Sequence, residues 1–276
     1  MTVDRLESRY FERMARSIGR KSKLIELAKP GAVLDAGAGG PGLSLAFEAA
    51  GHSVIALDES RDALKRLREA GLETVEGSIE ELAAIFPPCS FANIVFSSVL
   101  HEVFSYASGD KLAAHRKALR DAYSLLQPGG RILIRDGVRT PKPEAAAELT
   151  AFNAHDAKLI EDYLSKSPLV PAYVNLEAVG PRRWRGEAAS AFEVLHTINW
   201  GAASQERERQ ELFGVHSLEG FAQELEGVGF VEVASFLEEH DYSRYLEDRA
   251  HVRIAGETVW QKSVGLWIAD KELEHG

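Results

Sequence analysis

Cysteine is almost absent from this 276-residue chain: Cys89 is the only one. A single thiol excludes an internal disulfide and any multi-cysteine metal site. Its neighbours are prolines and a serine, with nothing to activate a thiolate. Long apolar runs are missing too, and no stretch approaches the roughly 20 residues that span a bilayer. The opening MTVDRLESRYFERMARSIGRKSK is charged throughout and lacks the apolar core of a secretory signal, so a cytoplasmic location is expected. Positive charge is in deficit: 32 Lys and Arg against 42 Asp and Glu leave a formal charge of −10. An acidic surface repels phosphate backbones, which disfavours nucleic acid as a partner. The histidines have no close chelating spacing, and no metal is expected. Internal repeats and low-complexity tracts are also lacking.

What remains is ordinary for a globular protein, 45% hydrophobic and 27% charged. Residues 5 to 28 read as helical and stop at Pro30-Gly31. The strand-like runs AVLDA (32–36), SVIALD (53–58), ETVEG (73–77), ANIVFSS (92–98) and RILIRDG (131–137) follow. Helical stretches separate them, each closed by Gly51, Gly71, Pro87-Pro88 or the QPGG turn. Strands alternating with helices must pair in parallel, because each return crossover is a helix. The expected fold is therefore α/β and doubly wound, with a mostly parallel seven-stranded sheet and helices on both faces. Its ligand crevice lies at the carboxyl ends of the strands.

After Gly137 the rhythm breaks. Helical patterns at about 143–165, 187–200 and 205–213 predict a helical insertion, a lid over 141–215. A capped helix from Ser217 and two strands, 230–236 and 262–270, then complete the core. The expected division is an N-terminal helical segment (1–30), a core (31–140 and 216–276) and the insertion (141–215). Residues 237–261 carry no clear pattern. The cluster PRRWR at 181–185 is either an anion grip or a solvated loop, and the loop is the commoner case.

LDAGAGGPG at 34–42 puts four glycines in nine positions at the end of the first strand. Read literally, Gly37 to Gly42 matches G-x-G-x-x-G, the dinucleotide fingerprint, with Asp58 near the place of a ribose-binding acid. Three further features point elsewhere: Asp35 just before the loop, FANIVFSSVLHEV at 91–103, and LLQPGGRILIRD at 125–136. Together they resemble the class I S-adenosylmethionine-dependent methyltransferases, most strongly over about 31–137. Two departures stand out: Gly40 reads as an extra residue in the loop, and Ala92 replaces a frequent aspartate.

The resemblance implies an enzyme whose cofactor is S-adenosyl-L-methionine, released as S-adenosyl-L-homocysteine. It assigns Asp35, Gly37, Gly39 and Gly42 to the methionine end of the cofactor and Asp58 to the ribose hydroxyls. Ser78 and Ile79 fall at the adenine position, and Ser97 at the sulfonium side. His101 is either a general base or a packing and cofactor contact, with Glu102 beside it as a second catalytic candidate. In the insertion, Phe152, His155, His196 and Trp200 are candidate walls of an acceptor pocket, or simply core. A small-molecule acceptor is expected. An RNA or protein acceptor, a nicotinamide oxidoreductase and a silent cofactor-binding protein are the alternatives.

Overall fold

The computed structural model describes residues 18–238, 247–256 and 262–273. The expected helix at 5–28 is present as α1, Ile18–Leu27, and its earlier part lies outside the described residues. Strands β1 (Ala32–Ala36), β2 (Ser53–Asp58), β3 (Glu73–Glu76), β4 (Phe91–Ser97) and β5 (Leu126–Gly137) alternate with helices. These are α2 (Pro41–Ala49), α3 (Arg61–Glu69), α4 (Leu82–Ile85, after a 3-10 turn at Ile79–Glu81), α5 (Leu100–Tyr106) and α6 (Lys111–Leu125). A second α/β stretch, α7 (Ala154–Lys166) with β6 (Ala146–Ala151), β7 (Leu176–Gly180) and β8 (Arg183–Glu187), follows. Then come α8 (Ala188–Ile198), α9 (Gln205–Glu208), α10 (Leu218–Val228), β9 (Val231–Leu237), β10 (Val252–Gly256) and β11 (Val264–Asp270).

The main sheet has seven strands in the order β3-β2-β1-β4-β5-β11-β9. The pairs from β3 to β5 are parallel, while β11 runs antiparallel to both β5 and β9. This is the expected doubly wound sheet. Alternation along each strand sends side chains to opposite faces. Val33, Val95, Leu133 and Leu266 pack on one side with Leu24 of α1 and Phe47 of α2. Leu34, Ile94, Ile134 and Trp267 pack on the other with Leu119 of α6 and Leu225 of α10. A strand buried on both faces reads as a near-continuous apolar run; every residue of β4 and of β11 is buried, with Asn93, Ser97 and Asp270 the polar members. The last helix begins as expected: Ser217 Oγ accepts from Gly220 N at 3.0 Å.

The insertion departs from the expectation of a purely helical block. It contains a second, antiparallel sheet ordered β10-β6-β8-β7. The supposed helix at 143–165 is strand β6 followed by α7, with the break at Asn153. The Asn153 side chain caps α7, accepting from Asp156 N at 2.9 Å. A helix cannot run through a residue in extended conformation whose side chain caps the next turn. Strand β10 comes from the stretch that carried no pattern and lies within the expected core range 216–276, yet it pairs with β6. Its five residues, VRIAG, are too few to signal a strand alone, and the partner strand supplied by the fold makes them extended.

The arginine cluster is also explained here. On β8, Trp184 faces inward and is 4% exposed, while Arg183 and Arg185 face outward to Glu148 on β6. Neither an anion grip nor a solvated loop describes PRRWR: from Arg183 on it is strand β8, paired with β6. The insertion has its own core, built from Leu149, Ile160, Tyr163, Trp184, Val194 and Leu195 among others. Trp184→Ala should cost about 3–5 kcal/mol, the usual range for deleting a buried aromatic. Urea unfolding followed by circular dichroism measures it, and a change below about 1 kcal/mol would show that Trp184 does not anchor the second sheet.

Candidate functional site

At the carboxyl end of β1 the chain turns sharply. Gly37 N and Ala38 N both donate to Leu57 O, at 2.8 and 3.1 Å, and Gly39 N donates to Asp58 Oδ2 at 2.8 Å. Gly37 and Gly39 have φ of +73° and +63°, the left-handed region where a side chain is strained. A Cβ on Gly37 would also lie 2.5 Å from Val99 Cγ2. Gly40 has an extended backbone and precedes Pro41 at the start of α2. Gly42 lies in the first turn of that helix. The loop thus delivers a helix N-terminus, with its partial positive charge, to the carboxyl edge of the sheet.

The sequence-derived candidates meet around this loop. Asp35 is buried and accepts from Ser44 Oγ at 2.6 Å. Burial pushes its carboxyl up to about 6, against the pull of that hydrogen bond and of Lys21. Lys21 of α1 is itself buried, and burial together with Arg135 brings its ammonium down to about 8. Asp58 ends β2, accepts from Gly39 N and from Ser60 N at 2.8 Å, and is raised by burial. Ile79 lies against the place where a Gly37 side chain would be, and Ser78 caps the short 3-10 turn beside it. Register places Phe96 opposite Ala36, so Ser97 falls level with the glycine loop. Ser97 is buried, and its Oγ has no hydrogen-bond partner among the described residues. Ser98 follows at φ +61°, held by Arg135 Nη1 at 3.0 Å.

His101 is held on two sides. Its Nδ1 lies 2.6 Å from Asp136 Oδ1 at the end of β5, and its Nε2 lies 3.6 Å from Glu211 Oε2. Burial alone would push the imidazole down; Asp136 and Glu211 override it and hold it well above the ordinary histidine value. The same ion pair overrides burial at Asp136 and keeps that carboxyl below its usual range. Glu102 accepts from Arg207 Nη2 at 2.7 Å. Burial and the neighbouring Glu211 push Glu102 up to about 7. Arg207 also reaches Glu211 at 3.1 Å, and Tyr106 donates to Glu211 at 2.8 Å.

Arg207 and Glu211 belong to segment 205–216, which leaves the insertion and crosses α5. Further bonds seat it there: Leu212 N donates to Ser105 Oγ at 2.8 Å, and Glu193 accepts from Phe213 N and Gly214 N at 2.8 and 2.6 Å. Beside the segment opens a cleft of about 770 Å³ whose lining includes Lys111, Arg139, Tyr173, Glu187, Glu193 and His216. Burial brings Glu193 up to about 7.

The four candidate acceptor residues do not converge. Phe152 is 55% exposed and lies beneath Arg253, while His155 is also exposed and borders a smaller pocket. Both were placed by assuming an unbroken helix, and the Asn153 cap removes that assumption. His196 is buried and stacks on Phe213, whose ring also lies 4.8 Å from His101. Burial lowers His196 to about 3, so it is neutral. Trp200 sits just past α8, half-buried. Sequence reasoning missed Lys21, Glu193, Arg207 and Glu211. QERERQELF offers only a charged helical face, and nothing local marks which of its acids is buried.

Residues 34–134 match the family described as "Methyltransferase domain". No curated protein matches the chain. Solved structures share its fold at low identity. An S-adenosylmethionine-dependent methyltransferase of Archaeoglobus fulgidus is 15% identical with a TM-score of 0.55, over 96% of this chain and 100% of that one. One from Methanosarcina mazei is 15% identical at 0.51, over 90% and 95%. The 1,6-didemethyltoxoflavin-N1-methyltransferase of Burkholderia thailandensis, solved with 1,6-didemethyltoxoflavin and S-adenosylhomocysteine, is 14% identical at 0.51, over 99% and 93%.

The His101 pair makes stability depend on pH in a definite direction. Its folded value is above the unfolded one, so its stabilisation is whole below about pH 6.5 and is lost as pH rises through the folded value. Asp136, being depressed, contributes above about pH 3.9 and loses its contribution as pH falls through its folded value. The stability gap between the native protein and His101→Gln should therefore be wide near pH 6 and narrower in strongly alkaline buffer. Urea midpoints at both pH values read it, and a gap that widens with pH would exclude a charged His101.

Proposed function

With residues 34–134 forming a class I S-adenosylmethionine-dependent methyltransferase domain, we propose that this enzyme methylates a small-molecule acceptor taken up beneath the insertion. The observation that carries this reading is segment 205–216. It lies across α5, brings Arg207 and Glu211 to Glu102 and His101, and through Leu212, Gly214, Val215 and His216 lines a cleft of about 770 Å³. A cleft of this size suits one small molecule. The Burkholderia thailandensis neighbour, whose bound acceptor is a small heterocycle, supports the same reading.

The residues present fit the cofactor. Gly37 and Gly39 keep backbone where a side chain is strained, Asp58 offers carboxylate oxygens at the end of β2, and Ser97 holds a buried hydroxyl without a partner. In this proposal Asp35 and the loop hold the methionine end, Asp58 the ribose, Ser78 and Ile79 the adenine. The cofactor supplies a methyl group already activated by a sulfonium. The protein's task is to hold the acceptor in line with it and to keep water out, which by proximity alone removes several kcal/mol of barrier. His101, held as an imidazolium between two carboxylates, is a poor general base. Its role is to fix Asp136 and segment 205–216. Glu102, with a carboxyl near neutrality, is the group suited to receive a proton from an acceptor that carries one.

Calorimetric titration with S-adenosylhomocysteine should show saturable binding, and titration with NADH none. Asp58→Ala should weaken the first by roughly 1.5–3 kcal/mol, about 10- to 150-fold, through loss of charge-assisted hydrogen bonds. Binding of NADH alone would overturn the cofactor assignment. Transfer of labelled methyl to RNA or protein, with none to small-molecule pools, would overturn the acceptor class.

A further inference from the structure

Away from the glycine loop, three side chains converge from distant parts of the chain. His115 is on α6, Glu224 is on α10, and His216 closes segment 205–216 just before the Ser217 cap. His115 Nδ1 lies 3.5 Å from Glu224 Oε1, and His216 Nε2 lies 3.3 Å from Glu224 Oε2. Both ring nitrogens are buried with no hydrogen-bond partner among the described residues. His115 is 1% exposed. Each buried nitrogen faces a Glu224 oxygen without a well-formed hydrogen bond, which is costly, so the arrangement calls for something between the rings and the carboxylate.

We propose that His115, His216 and Glu224 bind one first-row divalent metal ion, zinc being the best match to two imidazoles and a carboxylate. The three ligand atoms lie within 4.8 Å of one another. A tetrahedral ion with donors at about 2.0–2.2 Å sets neighbouring donors about 3.4 Å apart. The two nitrogen–oxygen separations, one to each oxygen of Glu224, are close to that value, and modest side-chain adjustment within the 4.8 Å cluster brings all three donors onto one ion. The rings are held in place for this role. They lie 4.7 Å apart, and Phe221 packs 5.2 Å from His115 and 4.9 Å from His216.

Arg116 also touches Glu224 Oε1, at 3.1 Å. Its side chain is largely on the surface, so the guanidinium can turn out into water when the ion takes that oxygen. The other group of suitable type, His101 with Glu102 and Glu211, already contains a cation: Arg207 spans both of its carboxylates. Among the described residues no guanidinium spans His115, His216 and Glu224, Arg116 reaching only the carboxylate.

Two consequences follow from where the site lies. His216 lines the 770 Å³ cleft, so a position on the ion left open by three protein ligands faces the cleft and takes water or a ligand bound there. His216 O also accepts from Arg139 N at 2.8 Å, just beyond β5. The ion therefore pins the end of the insertion to the two helices of the core, and with it the segment that carries Glu211 and Phe213.

The test uses the full chain stripped of metal with a chelator. Co²⁺ should bind one per chain with the intense visible absorption of a four-coordinate site, be displaced by an equivalent of Zn²⁺, and raise the melting temperature. His216→Asn and Glu224→Gln keep size and fold, and each should weaken Zn²⁺ binding at least tenfold by calorimetry and abolish the cobalt spectrum. Glu211→Gln should leave both unchanged. Absence of metal uptake by the native chain overturns the proposal. So does uptake that survives His216→Asn, or uptake lost only with Glu211→Gln, which would move the ion to the other cluster.

Discussion

The contact between His101 and Asp136 organises the carboxyl edge of the sheet. It joins α5 to the end of β5, and through Glu211 it joins both to the segment arriving from the insertion. All three groups are buried, where a lone charge is expensive and a paired one is strongly directed. Removing any member would strand a partner without water. The same logic runs across the edge. Arg135 meets Glu238 through two nitrogens, Lys21 lies near Asp35 and Asp136, and Arg207 neutralises Glu102 and Glu211. The edge is a mosaic of compensated charges, and compensation sets which elements must be neighbours.

The glycine loop depends on a similar economy. Asp58 anchors it by accepting from Gly39 N, while two successive N–H groups share Leu57 O. The loop is therefore held in its turn before anything binds. Binding sites shaped in advance spend less free energy on ordering. Polar contacts that also serve the fold leave little slack, and this is why the loop tolerates only glycine at its two left-handed positions.

The insertion stands on a different footing. It has its own sheet and its own apolar cluster, distinct from the clusters on either face of the main sheet. Segment 205–216 carries its polar reach into the site, through Arg207 and Glu211. The glycine loop and the insertion in this way belong to different packing units, joined by a few buried ion pairs. Among the described residues no helix is long and apolar enough to cross a membrane.

By itself the sequence determined the doubly wound sheet, because strand runs separated by capped helices have one sterically sound arrangement. It determined the glycine loop, Asp35 and Asp58 as well, since these are local consequences of a turn between a strand and a helix. Tertiary structure decided the rest. β10 is extended only because β6 offers an edge, and Phe152 lies outside a helix only because Asn153 caps the turn after it. His101 is legible in the sequence as a residue of interest, but its charge is not, since the two carboxylates that set it lie 35 and 110 positions away. Periodicity reports what one element buries. Which charges share a dielectric, and which histidines meet across helices, depends on contacts that no local spacing encodes.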